Sequence, residues 1–352
     1  MRGAISTRSS APWKKSKIIL SKRLQLPFEQ GGVAVPGSGC ATVFGPTAAV
    51  RELDDPLHIT RFRPDHDRIT AARARTGLTA DPASCDLAVV CLPRNRTAGL
   101  NRIAEACAAV RPGGTLVVDG QKTDGIDPVL KKLRATIALS GTASKAHGKI
   151  AWCVPPHPRP TAIADWAAAA APRRTDSGHW TVPGVFSADG IDPATALLIA
   201  HLPTAPAGRA ADLGAGWGAL AAALLARAPD LTAVDLIEAD HTALEMAERN
   251  ITDPRAAFHW ADATRWRGGP YDLIVSNPPF HVDRTADPAL GAAFIDSASQ
   301  LLRPKGRLLL VANRQLPYEA VFEANFHNWQ ILTSTTHYKV LTATRPRKTR
   351  HG

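Results

Sequence analysis

Long apolar runs are missing from this 352-residue chain. No stretch reaches the roughly 18–20 residues that a helical membrane span needs, so no membrane partner is expected. Cysteine is scarce: Cys40, Cys85, Cys91, Cys107 and Cys153 are the full set. The number is odd, and no two have the spacing of a zinc site or a redox pair. Buried free thiols in a reducing, cytoplasmic compartment are therefore expected, with no metal. Acidic residues are absent before Glu29, a stretch that carries Arg2, Arg8, Lys14, Lys15, Lys17, Lys22 and Arg23. It is rich in Ser and Arg, as transit peptides are, but lacks the apolar core of a secretory signal. The preferred reading of residues 1–19 is a flexible basic tail, such as an over-extended start produces. Non-specific RNA binding by that tail is the second reading.

What the chain has in quantity is apolar residues and positive charge. A hydrophobic content of 45% is that of a globular protein, and the length accommodates two ordinary domains. The formal net charge of +11 suits a polyanionic partner. A generally basic proteome would give the same balance.

The sequence repeats weakly over a long period. Asp86-Leu-Ala-Val-Val-Cys-Leu-Pro-Arg94 matches Asp272-Leu-Ile-Val-Ser-Asn-Pro-Pro-Phe280. Each is followed by a helical stretch, Ala98 to Val110 and Ala289 to Leu302. Arg111-Pro112-Gly113-Gly114 and Arg303-Pro304-Lys305-Gly306 then stop the helix before a continuous apolar strand. Strand–helix–strand units with uniformly apolar strands predict parallel sheets. The expected fold is α/β, with two tandem Rossmann-like domains of one kind. The first domain, residues 20–165, reads as degenerate. Its nearest glycine turn, Gly37-Ser38-Gly39, precedes a strand instead of following one. Residues 166–182 read as a linker, 183–345 as the second domain and 346–352 as a basic tail.

The second copy carries the chemistry. Asp212 ends a strand, and Gly214, Gly216 and Gly218 allow a tight turn and close backbone approach to a ligand. Glu238 ends the next strand, 24 residues after Gly214, where a carboxylate can accept from ribose hydroxyls; Asp235 is its rival. Asp262 follows a third strand and can accept from an adenine amine. Asn277-Pro278-Pro279-Phe280 ends a fourth. An exocyclic amine is a poor nucleophile because its lone pair is delocalised into the ring. The Asn277 side-chain oxygen and the Pro278 carbonyl can hold its two hydrogens and localise that pair. The prolines stiffen the turn, and Phe280 offers a stacking face. His281 is read as lining the pocket or facing solvent.

In this order the four motifs resemble the class I S-adenosylmethionine-dependent methyltransferases. Pro183 to Asp192 and Val311 to Glu319 narrow the resemblance to the RsmC-like ribosomal RNA guanine-N2 methyltransferases, which pair an inactive N-terminal domain with an active C-terminal one. In the first half it rests on architecture and Asp119 to Gly125. The resemblance implies S-adenosyl-L-methionine as cofactor, held by Asp212, Gly214, Gly216, Gly218, Glu238, Asp262 and Asn277. It implies catalysis by Asn277, Pro278, Pro279 and Phe280. The implied substrate is guanine N2 in 16S ribosomal RNA, within the small subunit, acted on by a cytoplasmic monomer. By the same resemblance Phe186 to Asp192 would cover the methionine end of the cofactor, and Arg314 and Tyr318 would shape the substrate side. Trp217 departs from the small residue usual in the turn. Alternative readings are guanine in 23S ribosomal RNA, a DNA adenine-N6 or protein glutamine-N5 enzyme, and a non-catalytic RNA-binding assembly factor.

Overall fold

The computed structural model describes residues 23–45, 53–71, 75–279, 281–282, 285–286 and 288–347. The expected tail over residues 1–19 lies outside them. Two seven-stranded sheets share one topology. The first contains β1 (Ala41–Phe44), β2 (Leu57–Ile59), β3 (Arg75–Gly77), β4 (Cys85–Cys91), β5 (Val110–Gln121), β6 (Gly141–Lys145) and β7 (Gly148–Cys153), in the order β3-β2-β1-β4-β5-β7-β6. The second contains β8 (Gly208–Leu213), β9 (Leu231–Glu238), β10 (Ala256–Trp260), β11 (Tyr271–Ser276), β12 (Leu302–Asn313), β13 (Phe326–Ser334) and β14 (Tyr338–Pro346), in the order β10-β9-β8-β11-β12-β14-β13. In each, five strands run parallel and the last two pair antiparallel. The α/β tandem read from the repeat is therefore the observed architecture.

The continuous apolar strands are buried on both faces, as parallel strands under helices must be. Alternation along β4 sends Leu87 and Val89 to one core and Ala88 and Val90 to the other. Along β11, Leu273 and Val275 face one core and Ile274 the other. The helices that cover β4 and β11 are α1 (Arg96–Ala109) and α2 (Pro288–Leu301). Both end at the Arg-Pro-Gly stops. The two arginines reach back to the acid that opens the covered strand: Arg111 to Asp86 at 3.1 Å, and Arg303 to Asp272 at 3.6 Å.

The ends of the expected segments are held by specific contacts. Arg23 and Asp119 form an ion pair with both side chains fully buried in the first domain. The expected linker, residues 166–182, is anchored at both ends, with 167–179 exposed or partly exposed between them. Trp166, on the helix Thr161–Ala168, sits in the first core. Trp180 and Val182 join an apolar cluster of the second domain. The expected basic tail at 346–352 is ordered further than composition suggests: β14 runs through Pro346, and Arg347 donates its Nε to the Phe326 carbonyl at 3.0 Å. A high proportion of positive charge does not fray a strand whose partner is already in place. Residues 348–352 lie outside the described residues.

The domains meet beside the end of β9. Phe62 and Asp240 form an antiparallel bridge. Arg63 N–H donates to Ala239 O at 2.8 Å and His241 N–H to Arg61 O at 2.8 Å. The Trp260 indole N–H donates to Arg61 O at 3.2 Å, and Arg63 Nη1 donates to Trp260 O at 3.0 Å.

Candidate active site

The site lies at the carboxyl ends of β8 and β11, adjacent central strands of the second sheet, where open α/β sheets bind ligands. Gly214, Gly216 and Gly218 have φ of +79°, +57° and +91°. Each is in the left-handed region that a side chain disfavours. Gly218 precedes the helix α3 (Ala219–Arg227), and a Cβ there would come within 2.9 Å of Ile251. Ser276 Oγ donates to the Leu213 carbonyl at 2.6 Å, which ties the glycine turn to the strand that delivers Asn277.

A narrow cavity of about 40 Å³ is lined by Asp212, Gly214, Gly216 and Asn277, together with Phe186, Asp192 and Thr195. Asp212 is 1% exposed, and among the described residues neither carboxylate oxygen has a partner at hydrogen-bond geometry; the Ala221 backbone N–H only tempers the acid's pKa shift. Burial, and then the nearby Glu238, push its pKa up to about 8. Asn277 Oδ1 is likewise buried with no partner among the described residues, whereas Nδ2 donates to Asp192 Oδ2 at 2.9 Å and to Thr195 Oγ1 at 2.8 Å. Asp192 caps the helix α4 (Pro193–Ala200), taking the Thr195 N–H at 2.9 Å.

The other expected residues stand around this cavity without lining it. Glu238 accepts from Gly216 N–H at 2.7 Å and from Asp240 N–H at 2.8 Å. It clamps the glycine turn to the loop at the domain seam, and burial raises its pKa to about 7. Asp235 is engaged inside the sheet, accepting from Tyr271 at 2.7 Å and Arg209 at 2.8 Å. Asp262 Oδ1 accepts from the Thr264 N–H and hydroxyl at 2.9 and 2.7 Å. Pro278 is buried and Pro279 exposed at the strand end. Phe280 and the side chain of His281 lie outside the described residues.

Three features were not visible in the sequence. The Trp217 ring packs with Val182, Val185 and Met246, and its N–H donates to Ser187 O at 3.2 Å. It staples the 182–188 segment to the glycine turn. Tyr318 is 1% exposed and sits in the core against Gly291, in the first turn of α2, where an added Cβ would clash with its ring. Asp192 and Thr195 meet Asn277 from more than 80 residues away; the resemblance put Asp192 beside the cofactor, but only the Asp-Pro helix-start signal points to Thr195, and nothing pointed to their contact with Asn277.

A buried, unpaired acceptor beside a buried, unpaired acid can receive a donor and a cation together. Comparison with known proteins gives the same picture. Residues 178–342 match the family model "Methyltransferase small domain". Ribosomal RNA small subunit methyltransferase C of Idiomarina loihiensis is 32% identical over 248 residues, covering 69% of this chain and 74% of that protein. The protein of the same name from Chromohalobacter salexigens is 34% identical over 272 residues, covering 74% and 79%. The solved structure of a T. thermophilus 16S rRNA N2 methyltransferase (RsmC), in complex with AdoMet and guanosine, superposes with a TM-score of 0.72. It is 25% identical, covering 93% of this chain and 91% of that one.

Proposed function

The chain belongs to the ribosomal RNA small subunit methyltransferase C family, and from that premise we propose that it methylates the exocyclic N2 amine of a guanine in small-subunit ribosomal RNA, using S-adenosylmethionine. The observation that carries this reading is the pair of orphaned acceptors on one cavity, Asn277 Oδ1 and the Asp212 carboxylate. Neither has a hydrogen-bond donor among the described residues, so both can take one from a ligand.

The residues present fit the cofactor. Asp212, buried and unpaired, suits a cationic group, and the turn at Gly214 and Gly216 admits close backbone approach. Glu238 and Asp262, at the ends of β9 and just beyond β10, are assigned to its ribose and adenine. When bound, the cofactor supplies an activated methyl on a sulfonium, which leaves orientation and proximity to the protein. Asn277 Oδ1 and the Pro278 carbonyl hold the two amine hydrogens, which turns the nitrogen lone pair toward the methyl. The amine proton leaves to solvent after transfer. Phe280 supplies the stacking face.

The partner is ribosomal RNA, engaged within the small subunit by a cytoplasmic monomer; the +11 charge supports a polyanionic substrate. The first domain, residues 20–165, holds RNA or supports the second, residues 183–345. The test is mass mapping of ribosomal RNA from a strain lacking the gene. Loss of one N2-methylguanine from 16S RNA, restored by the wild-type gene, is expected. An unchanged 16S map would overturn the assignment, and a loss from 23S RNA would move it to the large subunit.

A further inference from the structure

Asn277 is the one expected catalytic side chain whose orientation the described residues fix, and they fix it from one side only. An asparagine amide has two ends of similar size and opposite hydrogen-bonding character. Free to rotate, it would offer either an acceptor or a donor to a neighbour. Here both hydrogens of Nδ2 have acceptors, Asp192 Oδ2 at 2.9 Å and Thr195 Oγ1 at 2.8 Å. The Thr195 hydroxyl is fixed in its turn, because it donates to the same Asp192 oxygen at 3.1 Å. Its lone pairs, not its proton, are thereby left for Asn277. Asp192 is itself held by the Thr195 backbone N–H at the first turn of α4. Flipping the amide would set Oδ1 against a carboxylate and a hydroxyl whose proton is already committed. It would also leave Nδ2 in the buried position where Oδ1 now has no partner.

We propose that Asp192 and Thr195 are positioning residues that lock the Asn277 amide with its oxygen toward the substrate, so that the site accepts a group bearing hydrogens and rejects one without them. The inference rests on the guanine reading and deepens it. A base with an exocyclic amine satisfies Oδ1. A base with only hydrogen or a carbonyl there leaves Oδ1 buried and unpaired, a penalty that sites built to bind a polar group impose on analogues lacking it. Two residues remote in sequence thus set the polarity of the catalytic turn. Neither needs to touch the reacting atoms.

The test uses the full-length protein, saturated with S-adenosylhomocysteine for binding and with S-adenosylmethionine for turnover. Guanosine and inosine, which differ only in the N2 amine, are titrated against wild type, Thr195→Val, Thr195→Ser, Asp192→Asn and Asp192→Ala. Turnover is measured on small-subunit RNA purified from the gene-deleted strain. Wild type should prefer guanosine over inosine by roughly tenfold or more. Thr195→Val and Asp192→Ala should move that preference toward one and lower kcat by roughly 10–100-fold, the range seen when a group that orients a functional ligand is removed. Thr195→Ser, which keeps the hydroxyl, and Asp192→Asn, which keeps an acceptor for both the cap and the amide, should restore the preference. Because every titration is made at saturating S-adenosylhomocysteine, any change of cofactor affinity in Thr195→Val, whose side chain lines the cavity, does not enter the base preference. Thr195→Val retaining both the full preference and wild-type kcat overturns the lock. A general loss of folding would lower cofactor affinity and KM behaviour alike without selectively erasing the base preference, and that outcome also counts against it. Wild type binding both nucleosides equally overturns the guanine reading instead, so the two failures are separable.

Discussion

Replacing Asp212 by Asn should stabilise the ligand-free protein while weakening cofactor binding, and the size of the gain should depend on pH in a defined direction. In the folded protein the carboxyl is buried without a partner, and its pKa is raised from 3.8 to about 8. The unfolded chain gives up the proton near the ordinary value. Between the two values the folded state holds one more proton, so unfolding releases it and stability falls as pH rises. The loss is about 1.4 kcal/mol per pH unit, or about 3 kcal/mol between pH 5 and pH 7. Asn has no proton to lose. The stability difference between variant and wild type should therefore be small near pH 4, grow through pH 7 and level off above pH 8. Glu238, raised to about 7 by its own burial, interacts with Asp212 and titrates in the same range, so the comparison is made in a Glu238→Gln background as well. Scanning calorimetry at pH 5, 6, 7 and 8 reads this as a widening gap in Tm, at about 2–4 °C per kcal/mol for a domain of this size. The same site predicts proton release when a cationic cofactor binds, because the cation lowers the Asp212 pKa. Titration calorimetry in buffers of different ionisation heat should approach one proton released per site at pH 6–7, and less above pH 8. A Tm gap that stays flat from pH 5 to pH 8, or binding with no proton release, would refute the orphaned-acid account.

Asn277→Ala should lower kcat by at least about 100-fold, since a preorganised hydrogen bond to the reacting group is worth about 3 kcal/mol. Cofactor affinity measured by calorimetry should hardly change, and near-normal turnover would remove Asn277 from the mechanism. Glu238→Ala should do the reverse. It removes the acceptor shared by Gly216 N–H and Asp240 N–H, so affinity should fall about tenfold or more, with a smaller effect on kcat at saturating cofactor; unchanged affinity would exclude the ribose role. Calorimetric stoichiometry should be one S-adenosylmethionine per chain, and a second saturable site would overturn the degenerate reading of the first domain.

The sequence exposed what is local and periodic. β4, β5, β11 and β12 were readable because parallel strands buried on both faces leave unbroken apolar runs, and because Arg111-Pro112 and Arg303-Pro304 stop the helices that lead into β5 and β12. Asp212, the three glycines and Asn277 were readable because each sits just at a strand end. The rest depends on packing between distant segments. Nothing near Asp192 announces that its carboxylate meets Asn277 across 85 residues. Tyr318 looks like a surface aromatic until Gly291 is seen to make room for its ring. Residues 166–182 look like a linker because Ala, Arg and Gly dominate them. Only the fold shows Trp166 and Trp180 anchoring opposite ends in two different domains.

Sheet register allows the two domains to be compared position by position. Asp212 pairs with Val275 in the second sheet, and Val43 pairs with Val89 in the first. Because Val89 and Val275 match in the repeat, Val43 stands where Asp212 stands and Gly45 where Gly214 stands. A Cβ on Gly214 would touch Phe294, and one on Gly45 would meet the Arg102 guanidinium at 2.7 Å. Arg102 also donates to the carbonyl of Cys91 at 2.7 Å, and Cys91 holds the place of Asn277. The first domain therefore has an apolar residue in place of the orphaned acid, and a protein cation lies against its first glycine. A larger cleft, of about 890 Å³, does open between the domains there. Glu105 pairs with Arg61 there and Asp119 with Arg23, and with Val43 in its place the first domain shows no counterpart of Asp212 among the described residues. Each change removes an unsatisfied buried group, so each favours the fold once cofactor binding is no longer required. The second domain keeps its unsatisfied groups because its chemistry needs them. It is braced where they are most exposed to strain: Arg61 to Arg63 of the first domain hold the loop that follows Glu238. On the degenerate reading, the first domain's contacts fall beside the half that keeps the site.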